Sequence, residues 1–314
     1  MIEVKNLTKR YGQHVALDNI NFTVDSGEVL GFLGPNGAGK TTTMNIMTGY
    51  IAATEGEVRI HGADIVAEPE KAKAHLGYLP DTPPVYGDMR VDEYLAFVAD
   101  VKRVKRPQRR QMLEDIKATV GISEMSKRLI KNLSKGYRQR VGLAQAMVGY
   151  PKVIIMDEPT VGLDPQQIIE MRDVIRRLGK KHTVILSSHI LQEVSAVCDR
   201  IMIINRGRIV ASDTTERLSS SFTQSGKLLV RVKGEEKQIL AALGGYPAIQ
   251  AKKAKGREPG CIDLECSGEG DVREAVFSCM AAAGHPILLM KPFDLSLEEI
   301  FLKIITGAGE EDAS

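Results

Sequence analysis

A chain of 314 residues, 43% hydrophobic and 26% charged, has the composition of a soluble globular protein of two domains, large enough to bury a core unaided. Its 42 lysines and arginines against 40 aspartates and glutamates leave a formal net charge of +2, which gives no reason to expect a nucleic-acid partner. No apolar run approaches the ~18 residues of a membrane-spanning helix, so the chain is not expected to cross a bilayer by itself.

The opening Met1-Ile2-Glu3-Val4-Lys5 alternates apolar and polar residues and lacks the apolar core of a signal peptide. Strands are predicted at 2–4, 20–24, 29–33, 57–60, 153–156, 184–187 and 200–205, and helical spacing of three and four dominates between 86 and 149. The first region, 1–218, therefore reads as an α/β domain with a helical subdomain at about 86–149.

Between strand 29–33 and an apolar helix lies Gly34-Pro35-Asn36-Gly37-Ala38-Gly39-Lys40-Thr41, followed by Thr42. This fits G-x-x-x-x-G-K-[ST] in the strand-to-helix context that a phosphate loop requires. Glycines let backbone N–H groups turn toward phosphate oxygens, and the helix start adds its positive end. Lys40 reaches the β- and γ-phosphates, and the Thr41 hydroxyl is a hard oxygen ligand for Mg²⁺.

A phosphate loop alone does not choose among GTPases, kinases and ATPases. Val153-Ile154-Ile155-Met156-Asp157-Glu158 is an apolar strand ending in two carboxylates. Asp157 is expected to hold Mg²⁺, and Glu158 to orient and deprotonate an attacking water. The chain has no Asn-Lys-x-Asp stretch to read guanine, which argues against a GTPase.

The stretch from Lys102 to Arg110 is strongly basic. It reads as a solvated helix-and-turn surface, with attraction to anionic lipid head groups as the functional alternative. Ser219-Ser220-Ser221 and Gln224-Ser225-Gly226 predict a linker at 219–226. A β-α-β-β-α-β order follows, with strands at 227–232, 248–252, 261–266 and 287–291 and helices at 236–243 and 271–283. This is the ferredoxin-like pattern of a small α+β accessory domain spanning 227–306. A last helix is expected at 296–305 and a disordered acidic tail at 307–314. Cys261 and Cys266 fall on opposite faces of one strand, so they should not share a metal; the four cysteines read as structural thiols in a reducing setting.

Leu133-Ser134-Lys135-Gly136-Tyr137-Arg138-Gln139-Arg140 resembles the signature of the ATP-binding cassette (ABC) family, commonly Leu-Ser-Gly-Gly-Gln, with Lys135 and Tyr137 as departures. The resemblance covers residues 1 to about 215. It implies a P-loop ATPase that uses ATP and Mg²⁺. It also implies that Ser134, Lys135 and Gly136 close over the nucleotide of an opposite subunit in a head-to-tail dimer. By the same resemblance Tyr11 stacks on adenine, Asp164 contacts the partner, and His189 contacts the γ-phosphate. The family places a glutamine where this chain has Asp81, which either senses the metal or sits in the turn that Asp81-Thr82-Pro83-Pro84 suggests.

The terminal segment Ser296-Leu297-Glu298-Glu299-Ile300-Phe301-Leu302 resembles the extension on ABC-2-type exporter ATPases. The implied partners are a second copy or a paralogous ATPase subunit, together with a polytopic membrane permease. The implied location is the inner face of the cell membrane, with no nucleic acid involved. The alternative is a soluble regulatory ATPase of the same family, uncoupled from transport.

Overall fold

Two long strands, β1 (Ile2–Tyr11) and β2 (His14–Val24), pair antiparallel through a tight turn in which Gly12 takes φ 59° between Tyr11 and His14. They continue into β4 (Glu55–Ile60) and β5 (Ala63–Asp64) to give a four-stranded antiparallel sheet in the order β2-β1-β4-β5. The computed structural model describes residues 1–215, 217–218, 228–244, 249–253, 260–268, 272–292 and 301–302, and the chain divides into two units, Met1–Thr215 and Glu216–Leu302.

A second sheet forms the centre of the first unit. Its strands are β3 (Val29–Leu33), β6 (Leu76–Leu79), β7 (Val153–Met156), β8 (Thr183–Ser188), β9 (Arg200–Asn205) and β10 (Arg208–Asp213), in the order β10-β9-β3-β8-β7-β6. All pairs but β9–β10 are parallel. Every residue of β3, β7 and β8 is buried, which is why β3 and β7 read as apolar runs instead of alternating ones, and β8 as the run Val184-Ile185-Leu186 ahead of two serines. The parallel strands all end on one edge, at Leu33, Met156 and Ser188, so the loops that follow them converge there.

Around these sheets lie α1 (Lys40–Met47), α2 (Pro69–Ala74), α3 (Val91–Val101), α4 (Arg106–Val120), α5 (Lys135–Met147), α6 (Pro165–Gly179) and α7 (Leu191–Ser195). Helices α3, α4 and α5 fall within the stretch of helical periodicity. Strand β6, absent from the sequence reading as a strand, is four residues long and carries Gly77. A Cβ there would lie 2.2 Å from the carbonyl oxygen of Ala146, so glycine is what lets α5 approach β6 backbone to backbone. One turn earlier in α5, a Cβ on Gly142 would lie 2.6 Å from Pro83 and 2.9 Å from Leu79. Strand β10 also escaped the periodicity, because it is a partly exposed edge with no apolar alternation.

The basic stretch proves partly structural. Lys102 points its ammonium at the carboxyl end of α5, donating to the carbonyls of Val148 (2.9 Å), Ala146 (3.2 Å) and Gln145 (3.4 Å). Arg109 pairs with Asp100 and donates to the Val104 carbonyl at 2.6 Å.

The second unit runs β11 (Leu228–Lys233), α8 (Glu236–Gly244), β12 (Gln250–Lys253), β13 (Cys261–Ser267), α9 (Arg273–Ala282) and β14 (Ile287–Pro292). Its sheet order β12-β13-β11-β14, antiparallel throughout, is the ferredoxin-like arrangement. Ile239 and Leu243 of α8 and Val276 and Met280 of α9 bury against Val230, Val232 and Leu264. On strands β11 and β13, Arg231 grips Asp263 with two hydrogen bonds of 2.6 and 2.9 Å. Cys266 is buried and Cys261 half-buried, and all four cysteines are free. The expected linker at 219–226, the tail at 307–314 and nearly all of the expected helix at 296–305 lie outside the described residues. Among the described residues no helix is long and apolar enough to cross a membrane.

Candidate functional site

After β3 the chain turns through residues 34–39 into α1. The loop tolerates little but glycine at three places. Gly37 and Gly39 take φ 79° and 110°, and a Cβ on Gly39 would lie 2.6 Å from Leu17. Gly34 keeps an ordinary φ, but its Cβ would lie 2.4 Å from the Ile204 carbonyl oxygen. Helix α1 carries no acidic residue in its first turn, so its positive end faces the loop unopposed.

Lys40, 6% exposed, curls back over that loop. Its ammonium donates to the carbonyls of Gly34 (2.8 Å) and Pro35 (3.2 Å) and lies 3.3 Å from Oε1 of Glu158. A buried ammonium held only by two carbonyls and one carboxylate suits an anion that enters from the open side.

The two carboxylates after β7 occupy different environments. Asp157 is 2% exposed, and burial raises its pKa, opposed by the hydroxyls of Ser187 and Thr41 and reinforced by the charges of Glu158 and Asp81. Glu158 sits in the left-handed region at φ 47°, a conformation that a non-glycine residue holds only when its surroundings impose it. Its N–H donates to Oγ of Ser187 at 2.9 Å, and the Ser187 hydroxyl donates onward to Asp157. The second Glu158 oxygen lies 2.9 Å from Nδ1 of His189, a bond that requires the proton on Nδ1 because a carboxylate only accepts. Glu158 is thus held between Lys40 and His189.

These groups line one cleft of ≈ 460 Å³, bounded by Tyr11, Asn36, Gly37, Gly39, Lys40, Thr41, Thr42, Asp81, Asp157, Glu158 and His189, with His14, Ala16 and Val161 completing the wall. Tyr11 stands at the β1–β2 turn, half exposed, with the Lys9 ammonium 5.0 Å from its ring centre. Asp81 lies in the bend after β6 and still reaches the cleft wall, so its turn position and its place beside the metal candidates coexist. Thr41, Asp157 and Asp81 offer the hard oxygens that a Mg²⁺ ion shares with phosphates and water.

Other expected residues lie elsewhere. Gly34, Pro35 and Ala38 form the inner side of the loop and do not line the cleft. Ser134 and Lys135 are exposed at the start of α5, where the Ser134 hydroxyl accepts the Tyr137 N–H at 3.4 Å, and neither they nor Gly136 line the cleft. Asp164 caps α6 by accepting the Gln167 N–H at 2.8 Å, also outside the cleft. The two helix starts are neighbours: a Cβ on Gly136 would lie 2.4 Å from Gln167, and one on Gly162 2.3 Å from the Lys135 ammonium. Sequence reasoning missed Ser187, although its place near the end of a buried strand, two residues before His189, was a signal. His14, Ala16 and Val161 carry no motif that could have pointed to them.

The profile of the ABC transporter family matches residues 17–161. Among curated proteins the chain is 39% identical over 273 residues to the uncharacterized ABC transporter ATP-binding protein YhcH of Bacillus subtilis, covering 84% of this chain and 87% of that one. It is 29% identical over 305 residues to the linearmycin resistance ATP-binding protein LnrL of the same organism, covering 97% and 98%. Among solved structures it resembles MJ0796, a bacterial ABC transporter cassette determined as a dimer, with a TM-score of 0.62, 25% identity, and coverage of 68% of this chain and 98% of that one.

Proposed function

The chain belongs to the ABC transporter ATP-binding proteins and is an ATPase, and on that footing we propose that it powers an ABC-2-type exporter as a head-to-tail dimer acting on a separate membrane permease. The observation that carries the dimer is the split of the site. The phosphate loop, Asp157, Glu158 and His189 share one cleft, while Ser134, Gly136 and Asp164 lie outside it on neighbouring helix starts. A second copy turned to face the first would bring those helix starts onto its neighbour's nucleotide. The near full-length match to a resistance protein supports the exporter reading, because it spans both units.

In this reading the γ-phosphate draws the Lys40 ammonium away from Glu158, with which it pairs at 3.3 Å. The Glu158 oxygen so released accepts the proton of an attacking water, while His189 keeps the other oxygen oriented. Thr41, Asp157 and Asp81 would hold Mg²⁺, which supplies charge neutralisation at the phosphates. Tyr11 offers a ring face for adenine at the cleft mouth.

Replacing Glu158 with Gln should retain ATP binding, at raised affinity, abolish turnover and accumulate an ATP-dependent dimer on size-exclusion chromatography. A variant that hydrolyses ATP at the parental rate, or stays monomeric with saturating ATP, would overturn the scheme. Recovery of a polytopic protein with the chain from solubilised membranes would support the transport role; recovery of only a soluble partner would refute it.

A further inference from the structure

One buried carboxylate has no part in the scheme above. Glu193, in α7 and four residues beyond His189, is 6% exposed, and among the described residues no cation pairs with it. One of its oxygens, Oε2, accepts hydrogen bonds from two hydroxyls, Ser188 at 3.1 Å and Thr160. Both are buried as well, at 0% and 5% exposure. Ser188 also accepts the Ile190 N–H at 3.0 Å, and the Glu193 N–H donates to the Ile190 carbonyl at 3.2 Å.

The two hydroxyls belong to different segments. Thr160 is two residues past Glu158, in the loop that follows β7. Ser188 is the last residue of β8 and immediately precedes His189. Glu193 therefore fastens the segment carrying Glu158 to the segment carrying His189, through a single oxygen. Across that fastening lies the 2.9 Å contact between the two side chains. The His189 side chain is itself 42% exposed, so its own packing does little to hold it. Its register relative to Glu158 must come from its neighbours. A buried charge without a counter-ion is an expensive way to gain stability, and an apolar residue of similar volume would do that at least as well.

We propose that Glu193 is a positioning residue for ATP hydrolysis: it sets Glu158 and His189 in the mutual geometry that activates water, without touching the nucleotide. The proposal rests on the roles given above to Glu158 and His189. A carboxylate suits the task because its charged oxygen accepts both hydroxyl bonds strongly, whereas the neutral amide oxygen of a glutamine accepts the same two more weakly. Misplacement of a general base by a fraction of an ångström lowers turnover with little effect on ground-state binding.

The test uses the full chain with Glu193→Gln, Thr160→Val and Ser188→Ala, measuring hydrolysis against ATP concentration alongside thermal unfolding. We expect Glu193→Gln to lower kcat by about tenfold with KM changed by less than about twofold. The unfolding midpoint should move by no more than a few degrees. Thr160→Val and Ser188→Ala, which cut the fastening from opposite sides, should each lower kcat in the same way. The double variant Thr160→Val/Glu193→Gln should be no slower than Glu193→Gln alone, as for residues acting through one contact. Parental kcat in Glu193→Gln, a rise in KM without loss of kcat, or strictly multiplicative losses in the double variant would overturn the proposal. If Glu193→Gln does not fold, the two hydroxyl variants decide by the same kcat and KM criteria. Glu158→Gln, assayed beside them, separates the two levels. If it hydrolyses normally, the roles of Glu158 and His189 fail; if it is inactive while Glu193→Gln is unimpaired, only the positioning role fails.

Discussion

On the proposed mechanism Glu158 competes with ATP for Lys40, and Glu158→Gln should therefore tighten ATP binding as well as stop turnover. The ammonium and carboxylate are 3.3 Å apart, with side-chain exposures of 6% and 13%. At that distance, and at the effective permittivity of about 20 that suits partly buried pairs, the gross attraction is about 5 kcal/mol. Desolvation of both groups cancels most of it, leaving a net contribution of about 1–2 kcal/mol. In the proposed scheme ATP breaks this contact, and Glu158 then also faces the γ-phosphate with like charge. Neutralising residue 158 removes both costs, so affinity should rise by roughly 5–30-fold. Over the same substitution, loss of the base should slow hydrolysis by about 10²–10⁴-fold. Equilibrium titration with a fluorescent ATP analogue gives the first quantity and phosphate release the second. His189→Ala is the control, since it leaves the Lys40–Glu158 pair in place and should change affinity far less. Unchanged or weaker ATP binding by Glu158→Gln would refute the competition argument even if turnover stopped.

Asp157→Asn should raise the melting temperature of the nucleotide-free protein, because burial already disfavours the charge at that position. The same change should remove the stimulation of hydrolysis by Mg²⁺; a lower melting temperature would contradict the first part and retained stimulation the second. Arg231→Leu should destabilise the second unit by about 2 kcal/mol at pH 7, because it strands Asp263, which is 6% exposed. The Arg231 hydrogen bonds lower the Asp263 pKa, so that stabilisation is complete above the ordinary carboxylate range and fades as pH falls through the lowered value. Urea unfolding of parent and variant should accordingly differ at pH 7 and converge toward pH 2; a difference independent of pH would refute the assignment.

What was legible in the sequence follows from how local each determinant is. The phosphate loop declares itself because its steric demands, at Gly34, Gly37 and Gly39, fall within six residues of one another. The strands β3 and β7, and the middle of β8, are readable as apolar runs because both of their faces are buried. By contrast, β6 is hidden by its own shortness and by Gly77, whose reason for being there is the carbonyl of Ala146 on another element. The links from Ser187 to Asp157 and from Glu193 to Thr160 join residues some thirty positions apart, and hydroxyls and carboxylates are too common for any spacing to reveal them. Lys102 shows what a charge run leaves unsaid: it is exposed, as the run suggests, yet its ammonium also caps the end of a helix. In the second unit, the alternation of β11 and β13 was enough to give the element order, because one face of that sheet is covered by two helices.

The backbone contact of α5 with β6 has a mechanical consequence. Side chains between packed elements act as compliant spacers that change rotamer and absorb small slippage; at Gly77 there is none, and at Gly142 the helix backbone rests directly on the side chains of Pro83 and Leu79. A swing of α5 that moves Ser134 must drag β6 and the Pro83 bend with it, and Asp81 between them. The start of one helix and the wall of the nucleotide cleft are then the two arms of a single crank. Events at one arm are delivered to the other as displacement, with only the Pro83 and Leu79 side chains in between.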